Sequence, residues 1–305
     1  MIDIGIITGS GIYQLTRNPE VHLVETRFGE AEVGVTRVGP WTVGAISRHG
    51  TGHHHLPHTV PHQANLTALN QLGARAVLAT TAVGVVDPGI PLGRPILFDD
   101  LFFPENLLPN GAACTIFTEP GDPRRAHLIR DEPFAPRLRQ KMELAAVSLD
   151  LEATVGGVYA HTNGPRFETR SEIRWLNSVG VTAVSQTCGP EVVLTGELEL
   201  PYVLVGFPVN YATGIAKPES EQELSYLLAL SAKTLTRLVF RTVELLEEQD
   251  LVYDHGLLYR VEGGLGSTEN GLAADAMSEE SGVADASDPA GRRVAHYHPP
   301  GGQKS

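Results

Sequence analysis

The sequence predicts an α/β fold whose central sheet is mostly parallel and covered by helices on both faces. Three observations carry that expectation. Short apolar runs of strand length recur along the chain, amphipathic segments of helix length lie between several of them, and small polar clusters follow the runs. The first run, Ile2 to Ile7, reads as a buried strand ending in Thr8-Gly9-Ser10-Gly11. Further runs fall at Ala76–Ala79, Pro95–Phe98, Gly157–Ala160, Val181–Ser185 and Tyr202–Phe207. Helical patterns fall at Pro61–Leu72, Phe134–Ser148, Thr169–Ser178 and Pro190–Leu198. The longest, roughly Glu219 to Glu248, lines up Leu224, Leu227, Leu228, Leu235, Leu238 and Leu245 on one broad apolar face.

After about Asp254 the composition changes to Gly, Ala, Ser and acid with almost no large apolar residues, which cannot offset the entropy of ordering. The expected organisation is one domain over residues 1–250 and an acidic, disordered tail over 251–305. The 305 residues carry a formal net charge of −13, which argues against nucleic acid or an anionic membrane as the main partner. A small anionic substrate is compatible with that charge, because local cations dominate inside a cleft. Cys114 and Cys188 match no zinc or redox spacing, so a reducing cytoplasm is the expected compartment. "MIDIGIITGSG" has no basic leader region, and no apolar run approaches the roughly 18 residues of a membrane span.

In an open parallel sheet, ligands gather at the carboxyl ends of the strands. Four polar clusters follow predicted strands: Gly9-Ser10-Gly11, Thr80-Thr81-Ala82-Val83-Gly84, Gln186-Thr187-Cys188-Gly189 and Val209-Asn210-Tyr211. Taken singly, each is an ordinary strand-to-helix turn, and "TGSG" lacks both the third glycine of a dinucleotide fingerprint and a P-loop lysine. Taken together, three of them offer hydroxyls and backbone N–H groups suited to one phosphate-sized anion. The stretch "SRHGTGHHHLPHTVPHQANLTAL", from Ser47 to Leu69, adds Arg48, whose fork matches two oxygens of a tetrahedral oxyanion, and His49. That stretch holds six of the chain's 12 histidines but no Asp, Glu or Cys from Arg48 to Leu69, which argues against a metal site. His54 and His55 read as an exposed polar loop.

These residues resemble the trimeric purine nucleoside phosphorylases and methylthioadenosine phosphorylases, from about Ile4 to Leu246. "IGIITGSGIY" is similar to the family's first phosphate loop, "TTAVG" to its second, "GPRFETRSEI" to its base-binding loop, and "TCGPEVVLTGELELPY" to its ribose and phosphate segment. In wording the chain looks most like the bacterial methylthioinosine phosphorylases. The resemblance implies a three-layer αβα nucleoside phosphorylase fold, a homotrimer, no metal or organic cofactor, and inorganic phosphate as co-substrate. It implies phosphate contacts from Ser10, Arg48, His49, Thr81, Ala82 and Thr187. Phe167, Glu168 and Asn210 would meet the purine, with Glu168, Asn210 and His49 carrying the chemistry. Tyr159 and Gln186 would lie by the sugar, and His127 would reach into a neighbouring subunit's site. At Gln186 the family has methionine.

The implied reaction is phosphorolysis through an oxocarbenium-like transition state, in which the protein positions the anion and places donors around a departing base. An ionised Glu168 only accepts, which suits the N1–H of a 6-oxopurine. The other reading of Glu168 is the first-turn acid of a helix. Adenine-preferring relatives carry aspartate at the Asn210 position and again where this chain has Ala212. Leu224 and Leu228 are either core residues or the wall around an apolar 5′ substituent. The leading expectation is a phosphorylase of inosine, guanosine or 5′-methylthioinosine. The alternatives are a methylthioadenosine phosphorylase and a non-catalytic nucleoside-binding protein.

Overall fold

The apolar runs become the middle of one mixed sheet. The computed structural model describes residues 1–9, 19–50, 52–260 and 294–296. Along the chain the elements are β1 (Ile4–Thr8), β2 (Glu20–Thr26), β3 (Gly29–Val38), β4 (Trp41–Ser47), α1 (His62–Gln71), β5 (Ala76–Val85), β6 (Ile96–Leu97), β7 (Asp100–Phe102) and β8 (His127–Arg130). Then come α2 (Pro136–Ser148), β9 (Thr154–Val155), β10 (Val158–His161), α3 (Arg170–Ser178), β11 (Val181–Ser185), α4 (Cys188–Glu197), β12 (Tyr202–Tyr211), α5 (Glu221–Leu245), β13 (Gly256–Arg260) and β14 (Val294–His296). The main sheet runs β2-β3-β4-β1-β5-β11-β10-β7, with β12 added along β5 and β6 and β9 beyond it. The β1–β4, β1–β5, β5–β12 and β10–β11 pairs are parallel, whereas β2–β3, β3–β4 and β5–β11 are antiparallel.

The alternation of side chains along the central strands separates two cores. Ile7, Val77, Ala79 and Leu204 face one side and pack with Leu66 and Leu69 of α1 and Val192 and Leu194 of α4. Ile4, Ile6, Ala76, Leu78, Val203 and Val205 face the other, against Leu138 and Met142 of α2 and Leu235 and Val239 of α5. Strands buried on both faces need apolar residues at every position, which is why they read as unbroken runs. The result is three layers.

Two expectations need adjustment. The fold does not end at residue 250, since Leu251 and Leu258 are buried and β13 pairs antiparallel with β8 from Gly256↔Arg130 to Tyr259↔His127. Val294–His296 runs parallel to β13. The rest of the expected tail lies outside the described residues. Helix α4 begins at Cys188 with Thr187 as its N-cap, two residues before the predicted start at Pro190.

One feature of the topology makes room for a ligand. On one edge β5 pairs with β1 from Ala76 to Ala79, then with β11 at Gly84 and Val85. Between these pairings residues 80–83 have no strand partner on that edge among the described residues, while β12 pairs along the opposite edge throughout. Thr81 and Ala82 therefore sit where the strands part.

Candidate active site

A cavity of about 770 Å³ opens at this divergence. Thr81 and Ala82 from β5, Thr187 from the cap of α4, and His49 line it, and so do Phe167, Glu168, Gln186 and Asn210. Five separated segments thus converge on one hollow. The Thr81 hydroxyl lies 3.1 Å from that of Ser185, bridging the gap between β5 and β11. Asn210 stands opposite Gly84 in the β5–β12 register, three residues beyond Thr81. At the strand rise of ~3.3 Å per residue, the hydroxyl-rich end and the Asn210 end are about 10 Å apart. That span accommodates an anion, a sugar carbon and a bicyclic base in sequence.

Arg48 is in the right neighbourhood but not on the wall. It is 1% exposed and absent from the cavity lining. Its Nε and Nη2 donate to Glu191 at 2.5 and 2.9 Å, and its Nη1 donates to the Thr80 carbonyl at 2.8 Å. Burial opposes its charge, but the Cys188 sulfur and the Glu191 carboxylate outweigh that and push its pKa well above the ordinary arginine value. Tyr202 donates to the second Glu191 oxygen at 2.8 Å. Arg48, which follows β4, thus ties β5 to α4 through its bonds to Thr80 and Glu191, and a Cβ on Gly9 would lie 2.9 Å from Arg48 Nη1 and 2.8 Å from the Thr80 oxygen. Only glycine lets the end of β1 come so close. Ser10, the next expected anion contact, lies outside the described residues.

Tyr159 is likewise withdrawn from the expected position beside the sugar. It is fully buried, and its hydroxyl accepts the Cys188 backbone N–H at 3.1 Å. The Gly189 N–H points to His161 Nδ1 at 3.4 Å. The first two amides of α4 are therefore taken by side chains, while Thr187 before them lines the cavity. His127, on the exposed strand β8, does not line this subunit's cavity.

The histidine-rich stretch divides by burial. His49 and His62 are buried, whereas His54 and His58 are exposed and His55 is half-buried. Burial and the neighbouring Arg48 lower the pKa of His49 to about 4 and of His62 to about 3, so both are neutral at pH 7. His62 lies 3.8 Å from Glu191 without forming an ion pair, because it is uncharged. His53 stacks on His49 with ring centroids 4.5 Å apart. Among the described residues no group of three or more His, Cys, Asp or Glu side chains is placed to hold a metal ion.

Glu168, also on the lining, directly precedes Thr169, the N-cap of α3, so it does not act as the first-turn acid of that helix. Glu172 fills that role in a capping box with Thr169, and Arg166 beside it lowers its pKa to about 2. Glu168 Oε1 instead accepts from the Thr162 hydroxyl at 2.5 Å. Asn210 Nδ2 donates to the Tyr211 carbonyl at 2.9 Å, which fixes the amide and leaves its second N–H and its oxygen for a ligand. Phe167 is 77% exposed on the cavity rim. Gln186 Nε2 donates to the Arg166 carbonyl at 2.8 Å, fastening the loop that carries Phe167 and Glu168. Leu224 and Leu228 both line the cavity, on the part of α5 that precedes its first buried residue, Ser231. Thr162, Ser185 and Glu191 were not foreseen from the sequence; a buried acid in the apolar face of α4 was the one available signal.

This arrangement has relatives. The Phosphorylase superfamily model matches residues 3–244. The chain belongs to that superfamily. It is 32% identical over 252 residues to the 6-oxopurine nucleoside phosphorylase of Pyrococcus furiosus, covering 81% of this chain and 94% of that protein. It is 37% identical over 222 residues to a probable S-methyl-5′-thioinosine phosphorylase of Methanopyrus kandleri, covering 70% and 81%. Among solved structures, a methylthioadenosine phosphorylase from an antarctic soil metagenomic library superposes with a TM-score of 0.73 at 25% identity, covering 80% of this chain and 86% of that one. The expected family and the three-layer nucleoside phosphorylase fold are thus both found. No helix among the described residues is long and apolar enough to cross a membrane.

Proposed function

We propose that this phosphorylase-superfamily protein cleaves the N-glycosidic bond of a 6-oxopurine nucleoside with inorganic phosphate, releasing the free purine and a sugar 1-phosphate. The observation that carries the reading is one cavity lined both by Thr81, Ala82, Thr187 and His49, which suit an anion, and by Glu168 and Asn210, which suit a purine. Phosphate held by the hydroxyls and the Ala82 amide lies under C1′, so bond cleavage becomes an encounter between groups already in place. Arg48 supports that end as a positioning residue through Glu191 and Thr80. Negative charge that develops on the leaving purine is met by the Asn210 amide N–H. Glu168, steered by Thr162, accepts the N1–H that hypoxanthine and guanine carry and adenine lacks. Leu224 and Leu228 supply an apolar surface for a 5′ substituent such as methylthio.

A methylthioadenosine phosphorylase is the second reading, favoured by the solved structural relatives. Asn210 and Ala212, standing where adenine-preferring relatives carry aspartates, weigh against it. The reading includes a homotrimer in which His127 serves a neighbouring subunit, a cytoplasmic location, and no organic cofactor. The test is a panel of inosine, guanosine, 5′-methylthioinosine, adenosine and 5′-methylthioadenosine assayed for base release with and without phosphate. Base release from the 6-oxopurine members only with phosphate is expected. Faster release from the adenosine members selects the second reading, and tight binding without turnover identifies a binding protein.

A further inference from the structure

The His49 imidazole is held in one tautomer by a reciprocal pair of bonds. Its Nδ1 lies 2.8 Å from the His55 carbonyl oxygen, and the His55 N–H donates to the His49 carbonyl at 2.9 Å. A carbonyl only accepts, so the proton must sit on Nδ1. The intervening turn is set by Gly50 and Gly52, both at positive φ (71° and 80°), and His53 stacks on the ring 4.5 Å away. The ring can neither flip nor exchange nitrogens without breaking that pair. With Nδ1 engaged by the His55 carbonyl, Nε2 is the nitrogen left for a ligand in the cavity that His49 lines, and in a neutral ring it carries a lone pair and no proton. Buried beside cationic Arg48, the ring has every reason to stay neutral.

We propose that His49 is an acceptor that selects the protonated oxygen of phosphate, making this site specific for HPO₄²⁻ over tetrahedral dianions with no hydroxyl. The inference rests on the functional reading above, in which His49 belongs to the phosphate end. The other contacts there do not discriminate in this way. The Thr81 and Thr187 hydroxyls rotate to donate or accept, and the Ala82 N–H donates to any oxyanion. A fixed acceptor accommodates the single P–OH of HPO₄²⁻. Facing sulfate or monofluorophosphate, both without a proton at neutral pH, its lone pair meets another lone pair and stays unsatisfied in a buried site. The three unprotonated phosphate oxygens then face the donors and the sugar, so the same bond orients the anion for attack.

Two measurements on the whole protein decide the matter. Long-range ¹H–¹⁵N correlation of histidine-labelled wild type reads the His49 tautomer directly: Nδ1–H is expected, and a proton on Nε2 overturns the assignment without any variant. Calorimetric titration of phosphate, sulfate and monofluorophosphate into the wild type is expected to show phosphate binding about 10- to 100-fold more tightly than either of the others, the range for leaving one buried acceptor unpaired. In His49→Gln, whose amide can turn either end to the ligand, that ratio should fall to within about threefold. Equal binding of all three anions by the wild type, or a ratio unchanged in His49→Gln, overturns the proposal. Phosphate-dependent base release on the same preparation separates the two readings. If it is present while the anions bind equally, only the role of His49 fails; if it is absent, the functional reading fails first.

Discussion

The two ends of the cavity are built differently. The anion end stands on the sheet itself: Thr81 and Ala82 lie on β5, and the Arg48–Glu191 pair beneath them is buried to 1% exposure on both residues. The proposed base and sugar end has one residue on the sheet, Asn210 of β12, and takes the rest from a loop and the first turns of α5, with Phe167 77% exposed and Leu224 37% exposed. Inorganic phosphate never changes shape, so its contacts profit from rigid strands. Nucleosides differ in base and 5′ group, and that variety is met by side chains on segments that can be altered without disturbing the core. Damage at the first end should therefore register in stability, and at the second in specificity.

The largest expected effect comes from breaking the buried pair. Arg48→Met should destabilise the fold by about 3–5 kcal/mol, because it leaves Glu191 buried without its cation and with only the Tyr202 hydroxyl as a donor. Arg48→Met/Glu191→Leu should recover much of that loss, since an apolar pair has no ion to desolvate. Denaturant unfolding of the single and double variants reads both, and additive losses would mean that the pair is not coupled.

Next comes the selectivity end. Glu168→Gln should lower kcat/KM for inosine-type nucleosides by roughly 10²–10³-fold while changing stability by less than about 1 kcal/mol, because the proposed function gives the residue to the ligand and not to the core. Steady-state kinetics alongside thermal unfolding separates the two quantities. A large fall in Tm would place Glu168 with the anion end instead.

A smaller effect follows from the buried histidines. Burial holds His62 and His161 at about 3 and His49 at about 4, below the ordinary 6.5, so each is neutral in the fold. Between those values the unfolded chain binds more protons than the folded one, so their contribution is complete above pH 6.5 and is lost as pH falls towards 3. His62→Phe, which removes one of these groups from the core, should make Tm fall less steeply with acidification across that window. An unchanged slope would show that His62 titrates alike in the folded and unfolded chains.

The smallest concerns the 5′ pocket. Leu224→Ser with Leu228→Ser should lower kcat/KM for 5′-methylthioinosine about 10-fold and leave inosine within about threefold, as expected from losing apolar contacts around one methylthio group. Equal losses for both substrates would assign the leucines to packing alone.

The same contrast governs what the sequence revealed. β5, β10, β11 and β12 were legible as apolar runs because both of their faces are buried. β2 was not, since Val21 and Leu23 are 58% and 65% exposed and leave no clear alternation. Residues whose chemistry is their own, such as Glu168, Asn210, Thr81 and Thr187, could be picked from strand ends and family wording. Residues whose role depends on a distant partner could not: Glu191 is 143 positions from Arg48, and the hydroxyl of Tyr159 meets an amide 29 positions on. Chain order carries no record of such pairings, so the burial of Arg48 against Glu191 and of Tyr159 against α4, both off the cavity lining, was not legible.

The account stands most directly on where the two substrates sit. A crystal structure with inorganic phosphate and hypoxanthine bound should show phosphate within hydrogen-bond distance of Thr81, Ala82, Thr187 and His49, and the purine N1 within hydrogen-bond distance of Glu168. A phosphate elsewhere, or a purine with its N1 turned away from Glu168, would contradict it.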